Sequence, residues 1–466
     1  MIFHNLKNYD GHLIMQHLGK FKEGHRLNCV PKDMEKYISF SIDNLVFLDS
    51  YNFLALSLDK LAANLDSFKF VDHPLLQRKG VFPYEYFDGP DKFLETFLPP
   101  IEEFYSSLTK QHISTEDYLH ALQVWDTFNI KNLKEYHDLY LKTDVYLLAD
   151  VFEKFRELCL RDYKLDPVHM LSLPSFTWEA CLYKTQVELE LFQDIDMQLF
   201  IESGIRGGVS MISTRYARAN NKYMKEHYNP SLESVYLVYL DCNALYSTAM
   251  CKPLPVNEFH WTNETDYLTN TNEEYGFILE VDLKYDKSLH DLHNDYPLAP
   301  EKINGKLIPN LKDKTKYILH YKTLQKYEEL GLVVTKYYRI LKFKQSEWLA
   351  PYINFNNEKR KLAQNDFEKD FYKLLNNSLF GRTIMNQRKF KNIYLVDELK
   401  LTKYVSKPHF DCSKKFDNNL HAVHMKKLIV KLDKPIYLGM TILDISKVIM
   451  YDFHYNYMSK FKNKSS

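Results

Sequence analysis

The sequence lacks any apolar run near the roughly 20 residues that cross a bilayer, so no membrane-spanning helix is predicted. No N-terminal segment combines a basic start, an apolar core and a cleavage site, and therefore no secretory signal is predicted. Fixed-period repeats and low-complexity tracts are also absent from the sequence. These absences predict a folded intracellular protein.

Cysteine is sparse, and no Cys-x-x-Cys pair occurs. The scatter of the cysteines argues against a disulfide framework and favours a reducing compartment. Cys412, His421 and His424 are zinc-ligand types that lie close in the sequence, but their irregular spacing does not predict a structural zinc site. The six cysteines are Cys29, Cys159, Cys181, Cys242, Cys251 and Cys412.

Net charge is absent as well, since 61 basic residues balance 61 acidic ones, which excludes a bulk attraction to polyanions. The distribution is uneven, however, because residues 352–466 carry 22 lysines and arginines against 11 acidic residues. Residues 371–396 contain no acid and interleave aromatic side chains with Lys373, Arg388 and Lys389. This pattern favours contact with a polyanion over the alternative, a solvated helix face.

Apolar residues are abundant, at 45% of 466 residues with 15% aromatic, and predict two to four domains. Apolar spacing of three and four predicts helices at residues 135–163 and over most of 346–381. A third helix is predicted to be buried, with one apolar face. That face consists of Ile442, Ile445, Val448, Ile449 and Phe453.

The stretch YLDCNALYSTAM, residues 239–250, follows the apolar run SVYLVYL, which predicts a short buried strand ending at Asp241. Metal-assisted phosphoryl chemistry usually needs a second carboxylate beside such a residue. The Asp-x-Asp sequence at residues 194–196 is predicted to be a polar turn, with Asp196 capping the next helix. Residues 251–263, rich in proline and asparagine, are predicted to form a loop.

The stretch KLLNNSLFG, residues 373–381, places Lys373 and Asn377 on one face of a predicted helix, with Ser378 and Gly381 on the adjoining strip. A cation, an amide and bare backbone would then line one groove. Glycine within a helix costs about 1 kcal/mol relative to alanine, which suggests close approach of a ligand. The alternative is that Gly381 ends the helix.

Together these stretches resemble family B DNA polymerases, especially the protein-primed subgroup of viruses and self-synthesising DNA transposons. Asp241, Leu245 and Tyr246 match the D-x-x-[SA]-L-Y motif of that family. The second motif of the family, K-x-x-x-N-S-x-[YF]-G, is matched by Lys373, Asn377, Ser378, Phe380 and Gly381. The resemblance implies a DNA-directed DNA polymerase, a nucleotidyltransferase that is nuclear or virus-associated.

The resemblance also implies roles for these residues. Asp241 and the Cys242 carbonyl would bind two catalytic Mg²⁺ ions, and Tyr246 would pack under the sugar and exclude a 2′-hydroxyl. Lys373 would grip the incoming triphosphate. The remaining nucleotide-binding residues would be Leu245, Asn377, Phe380 and Gly381.

Upstream stretches resemble the 3′-5′ exonuclease motifs of the same family. HNLKNYD contains Asn5 and Asp10, and YLKTD contains Tyr140 and Asp144. The resemblance implies that Asp10 and Asp144 hold the proofreading metals, that Asn5 contacts the primer end and that Tyr140 orients water. The resemblance implies further DNA contacts for Ser57 and Leu58 in SLDKL, for Lys79 in KGVF, and for Arg206, Gly207 and Gly208 in GIRGG. The acid-free basic stretch predicts phosphate contacts for Arg388 and Lys389.

The predicted fold class is mixed α/β, with an RNase H-like exonuclease domain followed by an incomplete right-hand polymerase domain. The exonuclease-like domain is predicted at residues 1–191. The polymerase part is predicted as palm (192–261), first terminal-protein insertion (262–342), fingers (343–386), second insertion (387–434) and a palm helix (435–466).

The resemblance leaves motifs unaccounted for: the D-x-E exonuclease motif expected before His4 and the Y-x-D-T-D-S hairpin expected after Tyr457. We therefore expect a polymerase truncated at both ends, with an incomplete two-metal Mg²⁺ site and no activity of its own. The expected partners are primer-template DNA, dNTP and a terminal priming protein, without a membrane. One alternative is a non-catalytic DNA-binding or terminal-protein-binding remnant of a mobile element, and another is a free-standing exonuclease.

Overall fold

The structure is a computed structural model that describes residues 1–21, 25–212, 215–264 and 273–461. Residues 265–272 of the predicted first insertion and 462–466 of the predicted palm helix lie outside the described residues. The chain forms two compact units, each built from separate stretches of sequence. The first unit comprises Met1–Ala180, Glu358–Leu375 and Asn386–Lys431, and the second comprises Cys181–Asn357, Asn376–Met385 and Leu432–Ser466.

The N-terminal part of the first unit contains a four-stranded sheet in the order β1-β4-β3-β2. The pair β1 and β4 is parallel, whereas the other pairs are antiparallel. The elements are β1 (Ile2–Phe3), α1 (Asp10–His17), β2 (Leu27–Pro31), β3 (Tyr37–Ile42), β4 (Leu45–Asp49), α2 (Leu58–Ala63), α3 (Thr115–Thr127), α4 (Leu133–Tyr163) and α5 (Leu173–Thr185).

Helix α4 is the long amphipathic helix predicted from the sequence. It begins where the Asn132 side chain accepts a hydrogen bond from the Glu135 amide at 3.0 Å. It ends at Lys164, whose φ of 58° is left-handed. Its buried residues include Leu147, Val151 and Phe155, at the spacing of one helix face. The prediction is confirmed, since capping and periodicity both act locally.

The second unit is built around a four-stranded antiparallel sheet in the order β5-β10-β6-β9. Its core contains Phe277, Leu279 and Val281 of β6. In chain order, the elements after α5 are α6 (Ile195–Gly204), α7 (Leu245–Met250), β5 (Leu254–Thr262), β6 (Tyr275–Lys284), α8 (His290–His293), β7 (Glu301–Ile303), β8 (Lys306–Ile308), β9 (Lys314–His320), α9 (Tyr321–Glu329), β10 (Val333–Ser346), α10 (Ala350–Leu362) and α11 (Asp366–Thr383).

The rest of the chain forms a three-stranded antiparallel sheet in the first unit, in the order β11-β13-β12, and a final helix in the second. Ile393 and Leu420 share one core with Phe40 of the N-terminal sheet. The Cys29 thiol also lies 3.6 Å from the Ile393 carbonyl oxygen, to which it donates. The elements are β11 (Asn392–Val396), α12 (Glu398–Val405), β12 (Phe410–Asp417), β13 (Leu420–Met425) and α13 (Ile436–Asp452).

Two strand predictions are wrong. The predicted loop at residues 251–263 contains strand β5, whose Pro255 is tolerated because β5 is an edge strand that pairs with β10 alone. The predicted buried strand before Asp241 is an exposed, irregular segment in which Tyr239 is 92% exposed. Among the described residues, only the bridge between Asn220 and Val235 pairs this segment, and an apolar run without neighbouring strands has no sheet to enter.

Two helix details also differ from the predictions. Asp194, not Asp196, caps α6, because its carboxylate accepts from the Asp196 amide at 2.8 Å. Helix α13 is buried as predicted, but Phe453 is 42% exposed. Val448 and Ile449 of the predicted face are half-buried, and a π-helical turn, Phe453–Tyr457, begins where α13 ends. None of the helices in the described ranges is both long and apolar enough to span a membrane.

Candidate nucleotide and nucleic-acid site

The residues of the first polymerase motif lie at a tight turn that leads into α7. Ala244 adopts a left-handed conformation with φ of 56°, and its carbonyl accepts from the Thr248 amide at 2.9 Å. Left-handed backbone is unfavourable for alanine, so the turn stores strain directly before the helix. Asp241 and Cys242 are exposed immediately upstream. The turn therefore connects the accessible carboxylate of Asp241 to helix α7, which carries Tyr246.

Tyr246 brings the two polymerase motifs together. Its ring stacks on that of Phe380, with centroids 4.5 Å apart and 12° between the planes. A Cβ placed on Gly208 would lie 3.5 Å from the Tyr246 hydroxyl, which is ordinary contact distance. Three stretches that are distant in the sequence thus meet at one aromatic side chain.

Helix α11 displays the predicted pattern of the second motif. Lys373, Asn377 and Gly381 are exposed and recur every four residues. The helix continues to Thr383, so the alternative that Gly381 ends it is wrong. A Cβ on Gly381 would meet nothing within 4 Å. Gly381 therefore leaves bare, accessible backbone in line with Lys373 and Asn377.

A buried amide network, which sequence reasoning missed, holds the C-terminal half of α11. Asn376 is 5% exposed, and its carbonyl oxygen accepts from Asn356 at 2.7 Å. The Asn376 amide nitrogen donates to the Asn357 side chain at 3.0 Å. Buried amides need such partners. The signal in the sequence was the first asparagine of the NNS triplet, directly before the predicted site residue Asn377.

Arg206, a predicted DNA contact, is engaged within the second unit. Its guanidinium lies 3.7 Å from the Tyr317 ring centroid and donates to the Ile318 carbonyl at 2.6 Å. The Lys447 ammonium donates to the Arg206 carbonyl at 2.9 Å and pairs with Asp444 at 3.1 Å. Burial lowers the pKa of Lys447. These contacts position the GIRGG loop, and DNA binding by Arg206, Gly207 and Gly208 stays a prediction.

The first exonuclease-like stretch is organised by a residue that sequence reasoning missed, Asp49 at the end of β4. Its carboxylate is buried and accepts from the backbone amides of Asn5 at 2.8 Å and Lys7 at 3.3 Å. Asn5 has a left-handed φ of 70°. Asp10 is half-buried and begins α1. A carboxylate at a strand end, as in LVFLD, was the available signal.

The second exonuclease-like stretch brings together three predicted residues. The Lys79 ammonium lies 3.1 Å from Asp144 Oδ2 and 5.9 Å from the Tyr140 ring centroid. The Tyr140 hydroxyl hydrogen-bonds that of Tyr84 at 2.8 Å. Burial, aided by this bond and by Asp144, raises the pKa of Tyr140. Asp144 Oδ1 is buried and has no hydrogen-bond partner, which leaves one oxygen for a ligand.

The remaining predicted DNA contacts have local structural roles or lie on the surface. Ser57 caps α2 by accepting from the Lys60 amide at 3.4 Å, and Leu58 is buried. Arg388 and Lys389 are exposed on a short 3-10 turn, Gln387–Lys389. Their DNA-binding roles stay predictions.

Comparison with known proteins decides the family. Residues 1–459 match the family described as DNA polymerase type B, organellar and viral. The chain belongs to this type B DNA polymerase family. Its residues are also 23% identical over 440 positions to a probable DNA polymerase of Agaricus bitorquis, covering 89% of this chain and 49% of that relative. The chain thus spans about half the length of this relative.

Solved structures confirm the predicted fold class of this type B polymerase chain. It resembles Phi29 DNA polymerase complexed with primer-template DNA and incoming nucleotides, with 16% identity and a TM-score of 0.53 over 97% of this chain and 68% of that one. Phi29 DNA polymerase complexed with single-stranded DNA gives 15% identity and a TM-score of 0.51 over 99% and 68%. The fold is mixed α/β, as predicted, while the predicted domain boundaries stay a prediction.

Type B polymerases generally use divalent metal ions. Mg²⁺ is usually held by one or two carboxylates together with phosphates and waters, which suits the exposed Asp241 and the unpartnered Asp144 oxygen. Among the described residues, neither belongs to a cluster of three ligand residues. Within the described part of the chain, such a cluster occurs at Asp411, Cys412 and His424 instead.

Proposed function

We propose that the chain binds primer-template DNA and an incoming dNTP and takes part in templated nucleotidyl transfer, as part of a DNA-directed DNA polymerase with 3′-5′ exonuclease ancestry. One observation carries the proposal: the stacked pair Tyr246 and Phe380, which joins both polymerase motifs. An aromatic wall of this kind suits a sugar and a base. Family membership is its independent support.

The phosphates of the nucleotide are assigned to α11. Lys373 is exposed and supplies a cation for the triphosphate, and Asn377 and Gly381 follow on the same face. Bare backbone at Gly381 lets the nascent base pair approach closely. Arg388 and Lys389 follow the helix in the chain and are exposed cations that would contact the DNA backbone.

Asp241 and the Cys242 carbonyl would hold Mg²⁺ in the polymerase site, and Asp144 with Asp10 would do so in the exonuclease site. Bound divalent ions would supply charge stabilisation for phosphoryl transfer. Lys79 pairs with Asp144 and holds its carboxylate in place beside Tyr140. Tyr140, kept neutral by its raised pKa, can donate or accept a hydrogen bond at its hydroxyl.

We also propose that the chain belongs to the protein-primed subgroup and that a terminal protein is a partner. The fold shared with Phi29 DNA polymerase supports the proposal. So does the position of residues 262–342 between the two polymerase motifs and of 387–434 after the second. The proposed location of the protein is nuclear or virus-associated.

A ternary-complex assay tests nucleotide selection without requiring chemistry. Purified chain is incubated with Mg²⁺ and a labelled primer-template whose primer ends in a dideoxynucleotide. We expect the next correct dNTP to stabilise the protein–DNA complex against competitor DNA, and the three incorrect dNTPs not to do so. Asp241→Ala and Lys373→Ala should abolish that stabilisation but leave binary DNA binding intact.

The control is Lys302→Ala, an exposed lysine of β7 far in the sequence from both motifs, which should behave as the unchanged chain does. Equal stabilisation by all four dNTPs would contradict the proposed nucleotide site. DNA binding with no response to any dNTP would favour the alternative, a non-catalytic DNA-binding remnant of a mobile element.

A further inference from the structure

The hairpin of β12 and β13 contains a β-bulge that gathers three metal-ligand side chains. Phe410 pairs with Met425 and Cys412 pairs with His424, so Asp411 is the extra residue on β12. Directly paired residues in an antiparallel sheet project to the same face. A bulge places two residues opposite one and re-aims a side chain. Asp411 and Cys412 therefore both lie beside His424.

The distances within this cluster suit a shared ion. His424 Nδ1 lies 2.8 Å from Asp411 Oδ2, and Cys412 Sγ lies 3.8 Å from the same oxygen. The ligand atoms of all three residues lie within 4.8 Å of one another. Tetrahedral zinc with bonds of about 2.0–2.3 Å holds its ligand atoms about 3.3–3.8 Å apart. Small rotations of the three side chains would bring their ligand atoms to these separations around one ion.

The cluster differs from the group suggested by the sequence. His421 is three residues before His424 on β13, so strand alternation directs its side chain to the opposite face. Asp411 replaces His421 as the third ligand. Sequence spacing could not show this, because the bulge depends on how β12 pairs with β13. The His424 side chain is 11% exposed, whereas Asp411 and Cys412 are exposed. The site is thus anchored on one side and open to solvent on the other.

We propose that Asp411, Cys412 and His424 bind one Zn²⁺ ion, with water as the fourth ligand. A thiolate, an imidazole and a carboxylate form a zinc-type ligand set, and Cys412 releases its proton to solvent on binding. The ion would tie β12 to β13 at the bulge. Lys426 Nζ, 3.7 Å from Asp411 Oδ1, is the competing cation. This site is independent of the proposed nucleotide function.

Cobalt titration of the whole chain tests the proposal, because a thiolate bound to Co²⁺ gives a charge-transfer band. We expect a band that saturates at one thiolate-bound Co²⁺ per chain and is displaced by Zn²⁺, and we expect no band in Cys412→Ser. Zn²⁺ affinity, measured by competition with a chelating dye, should fall at least tenfold in Asp411→Asn and His424→Gln. Lys426→Ala should tighten binding, since it removes a positive charge beside Asp411.

The control is Cys251→Ser, at a half-buried cysteine outside the cluster, which should leave band and affinity unchanged. Metal-free melting temperatures verify folding, and Asp411→Asn is a nearly isosteric change at an exposed residue. Absence of the band, its persistence in Cys412→Ser, or unchanged Zn²⁺ affinity in folded Asp411→Asn would each overturn the proposal.

Discussion

Tyr246 and Phe380 stack with their ring centroids 4.5 Å apart, although one follows the exposed turn before α7 and the other lies near the end of α11. Phe380 is half-buried, whereas the next residue, Gly381, is exposed. The stacked pair therefore lies at the boundary between the packed interior and the accessible surface. A side chain in this position can carry a packing role and a role in substrate selection at once.

If Tyr246 packs beneath the deoxyribose, discrimination comes from a clash with a 2′-hydroxyl. Tyr246→Val should therefore improve rNTP binding relative to dNTP binding in the ternary complex by tenfold or more, since about 1.4 kcal/mol corresponds to a factor of ten. The measurement is the ratio of rNTP to dNTP dissociation constants, with the melting temperature alongside. Tyr239→Val, at a 92% exposed tyrosine of the preceding segment, is the control. An unchanged ratio in a folded Tyr246→Val variant would remove Tyr246 from the nucleotide site.

DNA affinity should fall steeply with salt, because phosphate contacts release counterions. Reversing Arg388 and Lys389 to glutamate should reduce the slope of log affinity against log salt by about 2. The control is reversal of Lys302 and Lys306, two exposed lysines of the β7–β8 hairpin. Equal slopes for the two double variants would show that Arg388 and Lys389 do not contact phosphates.

Lys79→Met should destabilise the chain by about 1–2 kcal/mol, because it leaves the partly buried Asp144 carboxylate unpaired. Asp144→Asn added to Lys79→Met should restore most of the loss, measured by denaturant unfolding. Lys134→Met, on the helix that carries Asp144, is the control, since the pair of Lys134 with Asp138 is exposed and should contribute under about 0.5 kcal/mol. Additive losses in the double variant would contradict the coupling.

Burial lowers the pKa of His320 to about 4. Its ordinary value is about 6.5, so between these pH values the unfolded chain binds a proton that the folded chain does not. The free energy of unfolding should therefore fall as pH drops from about 6.5 toward 4, by up to about 3 kcal/mol from this group.

His320→Phe should reduce this pH dependence by the share of His320, and it should fold, since the ring already packs against Tyr321 and Phe343. The control is His227→Gln at an exposed histidine, which should retain it. Unfolding curves between pH 4 and 7 give the answer. A profile identical to that of the unchanged chain would show that His320 does not titrate across unfolding.

Local sequence was sufficient to predict the features that depend on neighbouring residues. Helix α4 follows from its apolar spacing and the Asn132 cap, and the exposed line of Lys373, Asn377 and Gly381 follows from helical geometry. The family resemblance rested on motifs of the same local kind. Side chains three or four residues apart on a helix meet regardless of the rest of the fold, so these features could be predicted.

Tertiary structure alone decided the features that depend on distant partners. The apolar run before Asp241 has the composition of a strand but lacks a neighbouring strand in the described chain, whereas Pro255 lies in a strand because β10 pairs with it. Asp49 holds the Asn5 loop from the neighbouring strand, β4. The bulge at Asp411 exists only in the register of two strands. Strand pairing and burial bring together residues that are far apart in the sequence. They therefore decided which candidate side chains meet.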